Sequence, residues 1–144
     1  CEGDTQTEDI MMPANVAPRG SGHVMVVDDE DFIIQMLARV LESLGYTVSA
    51  FKDPTRALDS FVKNPETFDL ILTDLTMPQM SGEELSLRIR QKDPNIPIII
   101  QTGFSERLSE EQIGFIGVNK LLKKPVLKVE LATCIKKILD EKDS

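Results

Sequence analysis

Five polar residues carry the chemistry open to this chain: Asp28, Asp29, Asp74, Thr102 and Lys124. Each follows a short apolar run. Val24-Met25-Val26-Val27 stops at Asp28-Asp29, and Leu70-Ile71-Leu72 leads to Asp74. Ile96 to Ile100 leads to Thr102-Gly103, and Val118 to Leu122 ends at Lys123-Lys124-Pro125. Three carboxylates gathered at one rim repel one another, and a divalent cation relieves that repulsion. Hard oxygen donors without His or Cys suit Mg²⁺ or Mn²⁺. A lysine beside them suits an anion set against the metal, and a threonine hydroxyl can bond one oxygen of that anion. An aspartate between metal and lysine is placed to attack phosphorus, since phosphoryl transfer is mostly positioning and charge neutralisation.

Taken singly, these residues have plainer readings. A strand-end Asp is commonly a helix cap or a solvated turn; Glu30 and Asp31 read that way, favouring a helix start. Thr102-Gly103 alone is a turn, and Lys123-Lys124-Pro125 alone is a basic strand exit. What marks a site is that all of them fall at strand carboxyl ends, where ligands of open α/β sheets bind.

The elements that must position these residues follow from periodicity. The apolar runs read as buried parallel strands, and Thr47 to Phe51 alternates as another strand. Between them lie helical stripes. Ile33, Leu37, Val40, Leu41 and Leu44 recur at helical spacing, with Gly45 at the C′ position. Asp53-Pro54 pairs a cap with a first-turn proline ahead of Ala57, Leu58, Phe61 and Val62. Ser81-Gly82-Glu83-Glu84 and Ser109-Glu110-Glu111-Gln112 read as capping boxes. The second opens a short helix that Gly117 closes, and Leu131, Ala132, Ile135, Ile138 and Leu139 stripe a final one. Five strand–helix units predict an α/β fold, a doubly wound (βα)5 three-layer sandwich on a five-stranded parallel sheet.

Composition narrows the class. The 144 residues are 41% hydrophobic, enough for one core. A net charge of −8, no Trp and a single Tyr argue against direct nucleic-acid binding. No apolar run is long enough for a membrane helix, so no membrane contact is expected. Cys1 and Cys134 cannot make a disulfide framework, and the chain reads as intracellular. Residues 1–22 are acidic, polar and punctuated by Pro13, Pro18, Gly20 and Gly22, so they read as a linker or disordered tail. The folded domain is expected over 23–142. His23 reads as a surface residue, Cys134 as a core-boundary residue and Met77 with Met80 as loop packing.

The segments Val26-Val27-Asp28-Asp29-Glu30, Asp74-Leu75-Thr76-Met77-Pro78-Gln79-Met80-Ser81-Gly82, Thr102-Gly103 and Lys124-Pro125, in this order and spacing, resemble the receiver domain of two-component signalling proteins. The resemblance spans residues 23 to about 141 and implies the flavodoxin-like fold argued above. It implies that Asp74 is the phosphoacceptor and that Asp28, Asp29, Asp74 and the backbone carbonyl of Thr76 hold Mg²⁺. Thr102 would be the switch hydroxyl, Lys124 the lysine that pairs with the phosphoryl group, and Lys124-Pro125 a frequent cis peptide. The domain would catalyse only its own phosphorylation and dephosphorylation. Its donor would be a histidine kinase or a phosphohistidine domain, and its target a downstream phosphotransfer protein or regulator. The surface of the last two helices and the fifth strand would change on phosphorylation, in a monomer or a phosphorylation-dependent dimer.

Leu121 departs from the family, which often has Tyr or Phe there as a switch coupled to the threonine. Phe104 and Thr76 occupy positions that tune acyl-phosphate lifetime in relatives. The Pro/Gly-rich tether ahead of the domain, together with Thr102 to Arg107 and Leu122 to Pro125, resembles the C-terminal receiver of a hybrid sensor histidine kinase; a free-standing cytoplasmic response regulator is the alternative. An aspartyl-phosphate phosphohydrolase is disfavoured because Thr76 stands where its second Asp would lie. A pure docking module is disfavoured by the complete set Asp28, Asp29, Asp74, Thr102 and Lys124.

Overall fold

The computed structural model describes residues 20–103, 117–124 and 126–143. Five strands, β1 (His23–Val27), β2 (Thr47–Phe51), β3 (Leu70–Asp74), β4 (Ile98–Thr102) and β5 (Lys120–Lys123), form one sheet. Its order is β2-β1-β3-β4-β5 and every pairing is parallel. The helices described are α1 (Asp31–Ser43), α2 (Pro54–Lys63), α3 (Gly82–Lys92) and α4 (Lys128–Asp143). The expected helix after Ser109, together with Phe104, Pro125 and most of the N-terminal tail, lies outside the described residues.

Both faces of the sheet are covered, which is why the central strands read as unbroken apolar runs. Met25, Val27, Ile71, Ile98 and Ile100 face one layer, against Ala57 and Phe61 of α2 and Leu85 and Ile89 of α3. Val24, Val26, Leu70, Leu72, Ile99 and Leu122 face the other, against Leu37 and Leu41 of α1 and Leu131 and Ile135 of α4. This is the expected doubly wound sandwich. The strand order reverses direction between β1 and β3, so the crevice where such sheets bind ligands opens beyond Val27 and Asp74.

Local chemistry sets the helix starts. At α2, Asp53 Oδ1 accepts the Thr55 N–H at 2.9 Å while Pro54 occupies the first turn. At α3, Ser81 Oγ accepts the Glu84 N–H at 3.1 Å. The reciprocal half of that capping box is replaced, since the Glu84 carboxylate takes the Arg88 guanidinium at 2.8 Å. At α1 the cap position is Glu30, whose side chain makes no cap bond; Asp28 Oδ1 accepts the Glu30 N–H at 2.9 Å instead. Gly45 closes α1 with φ +105, as its C′ placement predicted.

Some boundaries differ from the periodicity. β4 begins at Ile98 rather than Ile96: the Ile71 N–H donates to the Pro97 carbonyl at the start of the β3–β4 pairing, and Pro97 has no N–H to extend it towards Ile96. β5 begins at Lys120, since Asn119 spends its N–H on the Ile98 carbonyl and its Oδ1 on the Ile98 N–H. Val62, expected inward, is 41% exposed at the last turn of α2, whereas Ile34 is buried on α1. His23 is half-buried rather than superficial, its ring 4.8 Å from that of Phe68 and its Nε2 2.6 Å from Ser49 Oγ. Residues 20–22 lie against the amino end of the sheet. There the Gly20 N–H donates to the Leu44 carbonyl and the Gly22 carbonyl accepts the Thr47 N–H.

Candidate functional site

Three strand exits converge on one cluster. Asp28 and Asp29 follow β1 and Asp74 ends β3, the strand beside it; one carboxylate oxygen from each lies within 4.8 Å of the others. Asp28 is wholly buried, Asp74 is 4% exposed and Asp29 is open to solvent. Lys124, one residue beyond β5, reaches in from the far edge. Its Nζ is 2.9 Å from Asp74 Oδ1 and 3.4 Å from Asp28 Oδ2.

Electrostatics explain how such a group of charges persists. Burial lifts the Asp28 carboxyl above its ordinary value, opposed by the Glu30 N–H and by Lys124. Burial also acts to lower the Lys124 ammonium, but its hydrogen bond and attraction to Asp74, reinforced by Asp28, outweigh this and raise it. One ammonium faces three carboxylates, so the cluster remains net negative. The donor set is all hard oxygen, partly buried and open on the Asp29 side, which fits a divalent cation such as Mg²⁺. A metal there would offset the desolvation that Asp28 bears.

The surrounding backbone supports the cluster. Thr102 ends β4 with its side chain largely buried, and its carbonyl accepts the Lys124 N–H at 2.8 Å, tying the two strand exits together. Thr76 is exposed in the loop after Asp74. That loop turns tightly into α3, where the Gly82 N–H donates to the Leu75 carbonyl at 2.7 Å. A Cβ on Gly82 would collide with the Asp74 carbonyl, so only glycine fits. Met77 and Met80 are buried under the same loop, consistent with a packing role.

The five polar residues that carry the chemistry, with Thr76, therefore stand at the carboxyl end of the sheet, and Asp28, Asp29, Asp74 and Lys124 cluster there. One buried polar neighbour was missed. Gln101 precedes Thr102, is 2% exposed and pairs in register with Asp74. The one available signal was a polar residue closing an isoleucine run.

A doubly wound five-stranded parallel sheet with aspartates and a lysine at its carboxyl rim is the architecture of a signalling receiver. The response regulator receiver domain family matches residues 24–136, and the chain belongs to it. It is 31% identical over 116 residues to the response regulator receiver protein CpdR of Brucella abortus (strain 2308), covering 81% of this chain and 95% of that one. It is 31% identical over 124 residues to the sensor kinase CckA of the same organism, covering 86% of this chain but only 13% of the kinase. Among solved structures, a response regulator receiver domain protein from Clostridium thermocellum superposes with a TM-score of 0.80 at 29% identity, covering 85% of this chain and 97% of that one. Among the described residues no helix is long and apolar enough to cross a membrane.

Proposed function

We propose that this receiver accepts a phosphoryl group on Asp74 from the phosphohistidine of a histidine kinase or phosphotransfer domain. The observation that carries the reading is Lys124 Nζ at 2.9 Å from Asp74 Oδ1, inside a cluster with Asp28 and Asp29. A carboxylate oxygen of Asp74 attacks phosphorus, the P–N bond breaks, and its electron pair returns to the imidazole, which takes a proton from solvent. Asp28, Asp29, Asp74 and the Thr76 carbonyl would hold Mg²⁺, which when bound supplies charge neutralisation to the incoming oxygens. Lys124 pairs with one phosphoryl oxygen and the Thr102 hydroxyl with another. Their joint movement shifts the population of the surface formed by β5, α4 and the segment between β4 and β5.

The likeness to a sensor kinase supports placing the domain in a cytoplasmic phosphorelay, as the receiver of a hybrid kinase. The near full-length match to CpdR supports the free-standing alternative. Intact-mass measurement after incubation with a small acyl phosphate and Mg²⁺ tests the chemistry. One added phosphoryl group, lost on hydroxylamine treatment and absent from Asp74→Asn and from an EDTA control, is the expected result. No adduct on the parent protein, with no Mg²⁺ binding, would refute it in favour of a docking module.

A further inference from the structure

The strand that delivers the site lysine carries a sequence that fits two registers. β5 is four residues long and, among the described strands, pairs with β4 alone. It runs Lys120-Leu121-Leu122-Lys123 and Lys124 follows, so a leucine pair precedes a lysine pair. A shift of one residue towards the carboxyl rim would put Leu121 in the buried place of Leu122 and Lys123 in the place of Lys124. Lys120 would enter the half-buried place of Leu121, where its methylenes can lie along apolar surface. The opposite shift is excluded, because it would bury Lys123 in the place of Leu122. Val118, buried ahead of the strand, would yield its place to Gly117. Apolar patterning thus separates the two registers by little more than one valine side chain.

Polar contacts at the entry to β5 separate them further. Asn119 donates its backbone N–H to the Ile98 carbonyl and accepts the Ile98 N–H on Oδ1, both at 2.8 Å. Arg90, in the last turn of α3, donates from Nη2 to the same Oδ1 at 3.2 Å and to the Gly117 carbonyl at 2.7 Å. Its Nη1 donates to the Asp93 carbonyl at 3.2 Å, which holds the guanidinium against its own helix end. These contacts read residue identity, not only apolar pattern. In the shifted register Val118 would occupy the place of Asn119, and a valine offers no acceptor to the Ile98 N–H or to Arg90.

We propose that Asn119 and Arg90 are positioning residues that hold β5 in register, so that Lys124 and not Lys123 reaches Asp74. Both stand at the amino end of the sheet and act on the site through the pairing of β5 with β4. The proposal rests on Asp74 being the acceptor, and it deepens that reading by naming what selects its lysine.

The experiment uses Asn119→Val, which removes the side-chain acceptor and leaves two valines ahead of Lys120. Lys123→Met, Lys124→Met and the double lysine variant are made in the parent and in this background. The quantity read is affinity for beryllium fluoride with Mg²⁺, a stable mimic of the acyl phosphate. In the parent, Lys124→Met is expected to weaken binding about tenfold or more, the scale of a charge-assisted hydrogen bond, and Lys123→Met to leave it unchanged. In the Asn119→Val background either lysine serves, so each single variant should cost about twofold and only the double variant the full loss. Asn119→Asp keeps an oxygen acceptor and should behave as the parent. Arg90→Met, which leaves Asn119 in place, carries the same lysine variants and decides the matter if Asn119→Val does not fold cooperatively. Lys123→Met silent in every background, with Lys124→Met as costly as in the parent, would overturn the proposal. So would an Asn119→Asp protein that loses the preference for Lys124, since it retains the acceptor. If the parent binds no beryllium fluoride, the phosphoacceptor reading itself fails and the clamp has no lysine to select; parental binding with an unaltered lysine preference sinks only the register assignment.

Discussion

The ammonium of Lys124 lies 2.9 Å from the Asp74 carboxylate, although the two are fifty residues apart in sequence and come from non-adjacent strands. Only β4 separates them, and the Thr102 carbonyl at its end holds the Lys124 N–H. A contact made this way reports on three strand ends at once. Moving any of them changes the charge that Asp74 feels.

Removing that ammonium takes away the positive charge that lies 2.9 Å from the Asp74 carboxylate and 3.4 Å from that of Asp28, both buried. Lys124→Met is expected to lower stability at neutral pH by about 1.5–3 kcal/mol, the scale of a charge-assisted hydrogen bond. Mg²⁺ is expected to restore part of it. Thermal melting with and without the metal checks both statements, and a Lys124→Met protein as stable as its parent would contradict them.

Asp28→Asn is expected to act in the opposite direction. Burial raises the Asp28 carboxyl, so its stabilising contribution is present below 3.8 and is lost as pH rises through the folded-state value. At neutral pH the ionised group is therefore a cost, and the neutral amide can still accept the Glu30 N–H. The metal-free variant should be more stable by about 1 kcal/mol and gain much less from Mg²⁺ than the parent. Denaturant midpoints measured with and without Mg²⁺ decide it.

Gly82→Ala should displace the Asp74 backbone, because the added methyl meets the Asp74 carbonyl rather than a flexible side chain. The expected cost is about 1–3 kcal/mol. Phosphoryl acceptance should fall beyond what that loss explains, as read by intact mass under conditions where the variant is fully folded.

Alkaline pH should destabilise the fold through two groups. Burial, and then the Asp140 charge, raise the Tyr46 phenol above 10.0, and the Lys124 ammonium is raised above 10.5. Each contributes stability that is complete below its unfolded value and lost as pH climbs through its folded one. The melting midpoint should therefore hold steady up to about pH 10 and drop beyond it. Tyr46 is the single tyrosine in a chain without tryptophan, so its ultraviolet titration can be followed directly. Tyr46→Phe should remove its share of the drop, and it also discards a buried hydroxyl that has no hydrogen-bond partner.

The sheet, its layers and the clustering of Asp28, Asp29, Asp74 and Lys124 were legible because they depend on period and on strand ends, which a sequence displays directly. Edges depending on one competing hydrogen bond were not. Nothing in the run Val118 to Leu122 shows that Asn119 will occupy both its N–H and its Oδ1 on Ile98. Val62 fell outward because the expected stripe was one residue too wide at the final turn of α2. Gln101 was passed over for a related reason: its place opposite Asp74 is set by strand register, which is absent from a linear reading.

The Gly20–Gly22 segment meets the sheet where β1 and β2 begin, whereas Asp28, Asp74 and Lys124 stand where the strands finish. Grip and working face are thus at opposite poles. A molecule fixed to a support through its N-terminal segment would present the carboxylates outward, and an upstream fusion would crowd them least. The same polarity would suit a force-probe experiment in which the handle is pulled at one pole while phosphorylation is watched at the other.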